Sequence, residues 1–267
     1  IIFIAISIGI GFSTAITPIV AEADAAEDTG RIRSAFFHGM ILCVVLGLLL
    51  FAAVVFSKPL LIYLHQPKAV LDLALPYIDW VAFSLVPMII YQGYKQFADG
   101  LSMTKQSMYA IIMANVIHIF LNYLLIYGFW IIPAMGVQGA ALGTVISRIL
   151  MVVFMHFIMV KNEKLNPYFS RFQLVEFSKS IFRKILNIGF PSAMQMLFEI
   201  SIFTAAIWLS GIIGETSQAA NQIALTMATF TFMFAMGLSV TAMIRVSNQR
   251  GLRNFKHLLV VARSIFL

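Results

Sequence analysis

Long apolar runs, each closed by a short cluster of Gly, Pro, Asn or charged residues, organise this chain from end to end. A helix needs about 20 apolar residues to cross the hydrocarbon core of a bilayer. On that criterion the sequence predicts spans near residues 1–22, 35–56, 69–94, 107–128, 135–160, 185–211 and 216–244, with an eighth beginning near 254. The connections between them, such as Glu22 to Arg33, Ser57 to Lys68 and Lys161 to Lys184, are where backbone can meet water. The expected fold class is all-α, a polytopic membrane helical bundle of about seven full spans and one truncated span. Ile1 and Leu267 both lie inside apolar runs, so the chain reads as a piece of a longer one. A signal peptide is not expected at its start, because the basic region that opens such peptides is missing.

The cationic residues test this span count. With the loops placed alternately on two sides, one side holds Arg31, Arg33, Lys95, Lys105, Lys161, Lys164, Arg171, Lys179, Arg183, Lys184, Arg245, Arg250, Arg253 and Lys256, and the other holds only Lys58 and Lys68. One missed helix would scramble that bias, so the positive-inside rule runs the first span from outside to inside. Trp130 and Trp208 then fall near outer helix ends, where amphipathic rings favour the headgroup level.

Composition agrees and narrows the class. Hydrophobic residues make up 61% and charged residues 11% of the 267, against about 25% charged in soluble domains. The net charge of +7 is spread over short loops, which argues for topology and against a nucleic-acid partner. Cys43 is the one cysteine, so neither a disulfide framework nor a thiolate metal site is expected. The sequence carries no Walker loop, no His-rich metal spacing and no nucleophile elbow, and the reading is of a protein that is not an enzyme and has no cofactor. The 15 Met and 24 Phe fit lipid-facing and core positions, with some free to line an adaptable apolar pocket.

Candidate chemistry lies in the polar residues inside the spans. Glu199 sits in mid-span, with Ser192 and Gln195 seven and four residues earlier on the same helical stripe and Pro191 just before them. An ionised carboxylate at bilayer depth costs about 2.5–3.5 kcal/mol, so such groups face a bundle interior or a water-filled cavity. Asn115, His118 and Asn122 share a face of the 107–128 span; amide oxygens and an imidazole can hold a cation or carry a proton, and are also ordinary interhelical glue. Asp72 and Asp79 flank Pro76 on one face, and Asp79 is expected either to line the cavity or to pair with an intramembrane base such as Arg148. Gly136, Gly139, Ala140, Gly143 and Ser147 form a small-residue side suited to close helix contact. Gln218, Gln222, Thr226 and Thr229 make a further polar stripe that could line a cavity or bond to the helix of Glu199. A faint repeat sets Gly11-Phe12-Ser13 and Val20 opposite Gly237-Leu238-Ser239 and Val246 at an offset of 226, as a parallel repeat would.

Several stretches resemble the multidrug and toxic compound extrusion (MATE) family. They are Pro18-Ile19-Val20-Ala21-Glu22; Phe97-Ala98-Asp99-Gly100 with Thr104-Lys105; Leu121-Asn122-Tyr123 with Tyr127-Gly128 and Gly136-Val137-Gln138-Gly139-Ala140-Ala141; and Phe190-Pro191 through Glu199, with Ala219-Ala220-Asn221-Gln222-Ile223-Ala224 and Gly237-Leu238-Ser239. The resemblance implies a two-lobed, twelve-helix transporter whose second to eighth helices are present here. Residues 1–160 would be an N-terminal lobe lacking its first helix, 161–184 a cytoplasmic linker, and 185–267 the start of the C-terminal lobe. It also implies that Glu199 is the C-lobe cation carboxylate, that His118 and Asn122 face an N-lobe site, and that Thr144 is a further candidate there. Gln195, Gln222 and Asp79 would line the cavity. The implied function is a secondary antiporter that exports amphipathic or cationic organic compounds in exchange for H⁺ or Na⁺ by alternating access. It would sit in the plasma (inner) membrane as a monomer at full length, with a small organic substrate and the bilayer as partners. His118 stands where the family more often has Asn, and Asn221 where it often has His. The rival reading is a lipid-linked oligosaccharide flippase of the same superfamily, which would need a cationic cavity that Arg148 and Arg263 alone supply poorly.

Overall fold

The computed structural model describes residues 2–59, 68–130, 133–169 and 177–266. The main elements are α1 (Ile2–Ser13), α2 (Ile16–Ala25), α3 (Thr29–Phe56), α4 (Lys68–Phe83), α5 (Leu85–Gly100), α6 (Thr104–Tyr127), α7 (Gly136–Lys161), α8 (Asn166–Phe169), α9 (Lys179–Ile213), α10 (Glu215–Gly251) and α11 (Phe255–Phe266). Among the described residues, seven segments are long and apolar enough to span a membrane: Ile2–Ala25, Thr29–Phe56, Ala74–Gly100, Thr104–Tyr127, Gly136–Lys161, Lys179–Ile213 and Thr216–Gly251. These coincide in number and order with the runs read from the sequence, and α11 begins where the eighth was expected.

Two spans are broken where the sequence suggested single helices. The first breaks at Thr14–Ala15 and the third at Ser84, three to four residues before Pro18 and Pro87 respectively. A proline ring collides with the carbonyl four residues back and offers it no N–H, so each helix restarts with proline at its third position. Nearby hydroxyls take up part of the loss: Ser13 Oγ donates to the Ile10 carbonyl at 2.8 Å, Thr14 Oγ1 to that of Gly11 at 2.6 Å, and Ser84 Oγ to that of Val81 at 2.6 Å. Several helices also run farther into the cationic side than the apolar runs do. Asp28 caps α3 by accepting from the Arg31 N–H at 2.9 Å, Ser178 caps α9, and the Lys95–Asp99 pair at 2.7 Å holds the last turn of α5. Polar residues outside the hydrocarbon can stay helical once capped.

The first five spans pack around α5, which touches α1, α2, α3, α6 and α7. Ile16, Ile19, Val20, Leu85, Ile89, Tyr91 and Phe97 are buried in this core. The last two spans attach along the first one, α9 against α1 and α10 against α2. Close approach there depends on glycine. A Cβ on Gly11 would sit 2.7 Å from the Ser192 carbonyl oxygen and 3.0 Å from Ala193 Cα, and one on Gly189 would sit 3.0 Å from the Phe12 ring and from its carbonyl oxygen. Gly251 lies directly against the backbone of Glu22 and against Ala25. Ala25 and Gly251, which meet here, are separated by the same offset of 226 as the faint sequence repeat. Beyond these contacts the outer halves of α9 and α10 are largely exposed.

An ionic hub closes that side. Glu22, its side chain 16% exposed, receives Arg31 at 3.0 Å from α3, Lys184 at 2.9 Å from α9 and Arg250 at 3.8 Å from α10. One carboxylate thus joins the core of the first five spans to both of the last two. His38, fully buried on α3, adds another tie: its Nδ1 lies 2.7 Å from the Ser34 carbonyl, and its Nε2 accepts from the Ser178 N–H at 3.1 Å, just before α9 begins.

Candidate functional site

Two polar places lie at membrane depth. The first is built between α6 and α7, where small residues let the backbones approach: Gly139 lies against the Leu125 carbonyl and Gly143 against Asn122 Oδ1. That proximity brings together three of the residues singled out from sequence. His118 Nε2 is 3.3 Å from Thr144 Oγ1 and 3.3 Å from Asn122 Nδ2, while Thr144 Oγ1 donates to the Ala140 carbonyl at 2.9 Å. Asn122 Oδ1 is buried with no hydrogen-bond partner. The cluster therefore holds an imidazole, a hydroxyl and an amide with spare acceptor capacity and no carboxylate, a set better suited to holding or passing a proton than to enclosing a hard metal ion.

His118 and Thr144 open onto a cavity of about 330 Å³ between α5, α6 and α7, whose other polar lining includes Gln92, Lys95, Asn115 and Arg148. Asp79 is not part of it. Asp79 is exposed and pairs with Lys58 beyond the end of α3, so the expected Asp79–Arg148 pair is not formed. The ammonium of Lys58 reaches Asp79 at the surface, while Arg148 Nη1 instead donates to Ser84 Oγ at 2.7 Å. Asp72 is likewise exposed.

The second place is the polar stripe on α9. Pro191 lies inside this helix without ending it and removes the N–H that would have bonded the Asn187 carbonyl. Ser192 Oγ donates to the Ile188 carbonyl at 2.9 Å, and Gln195 is exposed. Glu199 stands one turn further, half-buried, and among the described residues nothing pairs with its carboxylate. Gln222 on α10 is also exposed. The stripe around it does not bond to the helix of Glu199: Thr226 donates to the Gln222 carbonyl at 2.8 Å and Thr229 to that of Leu225 at 2.7 Å, both within α10. Among the described residues no cluster of three or more His, Cys, Asp or Glu could hold a metal ion.

The Glu22 hub and His38 went unnoticed in the sequence. Their partners lie up to 228 residues away, and only the spacing of Pro18 to Glu22 at a helix end hinted at the first.

Comparison with known proteins decides the family. The MatE family model matches residues 1–124 and 191–267, about three quarters of the chain. The chain belongs to the MatE family. MATE proteins are membrane transporters and not enzymes, which agrees with the seven spans here. A probable multidrug resistance protein NorM of Agrobacterium fabrum is 30% identical over 99% of this chain and 57% of its own length, and the multidrug resistance protein NorM of Vibrio cholerae is 26% identical over 95% and 56%. The crystal structure of the eukaryotic MATE transporter AtDTX14 shares the fold with a TM-score of 0.83 at 20% identity, covering 98% of this chain and 57% of that one. The chain thus spans about half the length of the curated MATE relatives it matches.

Proposed function

We propose that this chain forms part of a multidrug antiporter in the plasma membrane, in which Glu199 binds the coupling H⁺ or Na⁺. Residues 1–160 would act as one lobe and 185–267 as the start of the other, joined by 161–184. The observation that carries the reading is a half-buried carboxylate inside a span, with no cationic partner among the described residues, on a helix tied at its cationic end to the first five spans through Glu22. Such a carboxylate is expensive to keep charged and is relieved by a proton or a cation, so binding changes the cost of exposing it to one side or the other. Alternating access of the two halves then couples that ion to movement of an amphipathic organic substrate. The His118–Asn122–Thr144 cluster provides a second place where a proton can reside. A proton moving down about 100 mV and one pH unit releases about 3.7 kcal/mol, enough to hold a substrate gradient of several hundredfold.

The NorM names of the relatives support multidrug efflux as the activity. The test is efflux of a fluorescent cationic dye from cells expressing the full-length gene, with and without Na⁺. Faster loss of dye than in vector-only cells is the expected result, and the Na⁺ dependence assigns the ion; dye retention equal to the control cells would overturn the proposal.

A further inference from the structure

The half-buried guanidinium of Arg148 has a task that the antiport reading does not use. It projects from α7 at membrane depth, one turn beyond Thr144, into the cavity between α5, α6 and α7. A charge at this depth is held by pairing with an opposite charge or with several acceptors. Arg148 has neither. Its one described bond goes to Ser84 Oγ, a neutral hydroxyl that already donates to the Val81 carbonyl, which leaves most of its five N–H donors unused.

The carboxylates nearby are committed elsewhere. Asp79 is held by Lys58, Glu22 by Arg31 and Lys184, and Asp99 by Lys95 and Ser107. The cavity itself has no acidic residue in its lining, whereas Lys95 and Arg148 both reach it. Because Lys95 is neutralised by Asp99 at 2.7 Å, the cavity presents one uncompensated positive charge, that of Arg148. Gln92, 7% exposed, adds a polar side chain to the lining of the same cavity. Met88, Ile111 and Met151 make the remaining wall apolar.

From these features we propose that the cavity is a binding site for a small organic monocarboxylate, its carboxylate forked on the Arg148 guanidinium and its apolar body against the methionines. The planar guanidinium matches a carboxylate bidentately, and the volume of about 330 Å³ lies in the range of small-molecule sites. A pyrophosphate, as a lipid-linked oligosaccharide would bring, carries more charge than one free guanidinium can balance. A halide ion would leave the apolar wall unused. The proposal deepens the antiport reading by naming a class of ligand, but it concerns equilibrium binding and needs no ion gradient, so it stands or falls separately from dye efflux.

The test is calorimetric titration of the purified full-length gene product with benzoate, with benzamide as its neutral isostere, and with sodium chloride. Benzoate is expected to bind saturably at one site, at least about tenfold tighter than benzamide, as loss of a charge-assisted pair at a partly buried site predicts. Arg148→Gln is expected to bring benzoate down to the benzamide level, with Arg148→Lys in between because an ammonium keeps the charge and loses the fork. Equal binding of benzoate and benzamide to the unaltered protein would overturn the proposal without recourse to any variant. Full benzoate affinity in Arg148→Gln would overturn the assignment to this residue. Displacement of benzoate by chloride at equal concentration would show a simple anion site and overturn the organic ligand.

Discussion

The Glu22 hub can be weakened without touching the helix core, and its contribution can be worked out from its geometry. Arg31 binds Glu22 from within the first five spans, so that bond is the same whether or not the two halves separate at the cationic side. The bonds that change are those to Lys184 and Arg250. Lys184 makes a charge-assisted hydrogen bond at 2.9 Å with side-chain exposures of 30% and 16%; bonds to charged groups contribute about 1.5–3 kcal/mol, and partial exposure places this one near the lower end. Arg250, at 3.8 Å and 65% exposed, adds about 0.3 kcal/mol. Glu22→Gln keeps an amide oxygen for Lys184 worth about 0.5 kcal/mol, so the substitution removes about 1.4 kcal/mol, a tenfold shift toward the parted state. Ala26 and Leu252, both exposed, can carry spin labels on the two sides of the contact, and double electron–electron resonance on the full-length protein reads the joined and parted distances. In a double-mutant cycle, Lys184→Gln should add little once Glu22 is neutral. An unchanged distance distribution in Glu22→Gln, or fully additive effects of the two substitutions, would refute the reasoning.

Other substitutions separate structural from coupling roles. Gly189→Leu places side-chain atoms where a Cβ alone already lies 3.0 Å from Phe12; overpacking of this kind costs about 1–3 kcal/mol, so the melting temperature should fall and the joined population shrink in the same spin-label measurement. His38→Leu leaves the part-buried Ser178 N–H without its acceptor, at a cost of about 1 kcal/mol, and hydrogen exchange at the start of α9 should quicken while that of α6 stays the same. Asp79→Asn breaks a pair whose carboxylate side chain is 53% exposed, and thermal denaturation should show a loss below about 1 kcal/mol.

How far the sequence could be read follows from how local each signal is. The spans were legible because a bilayer imposes a length on every apolar run, and because Lys and Arg collect on one side of it. Helix ends were less so: Thr29 and Lys179 begin their helices earlier than the apolar runs because Asp28 and Ser178 cap them, and a cap is a local hydrogen bond that hydropathy does not register. The two helix breaks before Pro18 and Pro87 went unread, because a proline inside a span is also compatible with an unbroken helix, as Pro191 in α9 demonstrates. His118 and Asn122 fall on one face by spacing alone, and their meeting with Thr144 needed the resemblance and the Gly139–Gly143 contact between α6 and α7. Arg148 was matched to the wrong partner because a sequence shows which charges lie within spans but not which of them the fold brings within reach. The same limit hid Glu22, whose three cations come from three different helices.

The central claim is that Glu199 couples an ion to substrate movement, and proteoliposomes containing the full-length protein test it most directly. Uptake of a cationic dye driven by an imposed H⁺ or Na⁺ gradient should fall to the level without a gradient in Glu199→Gln, while dye exchange at equilibrium persists. Gradient-driven uptake at the unaltered rate in that variant would contradict the account.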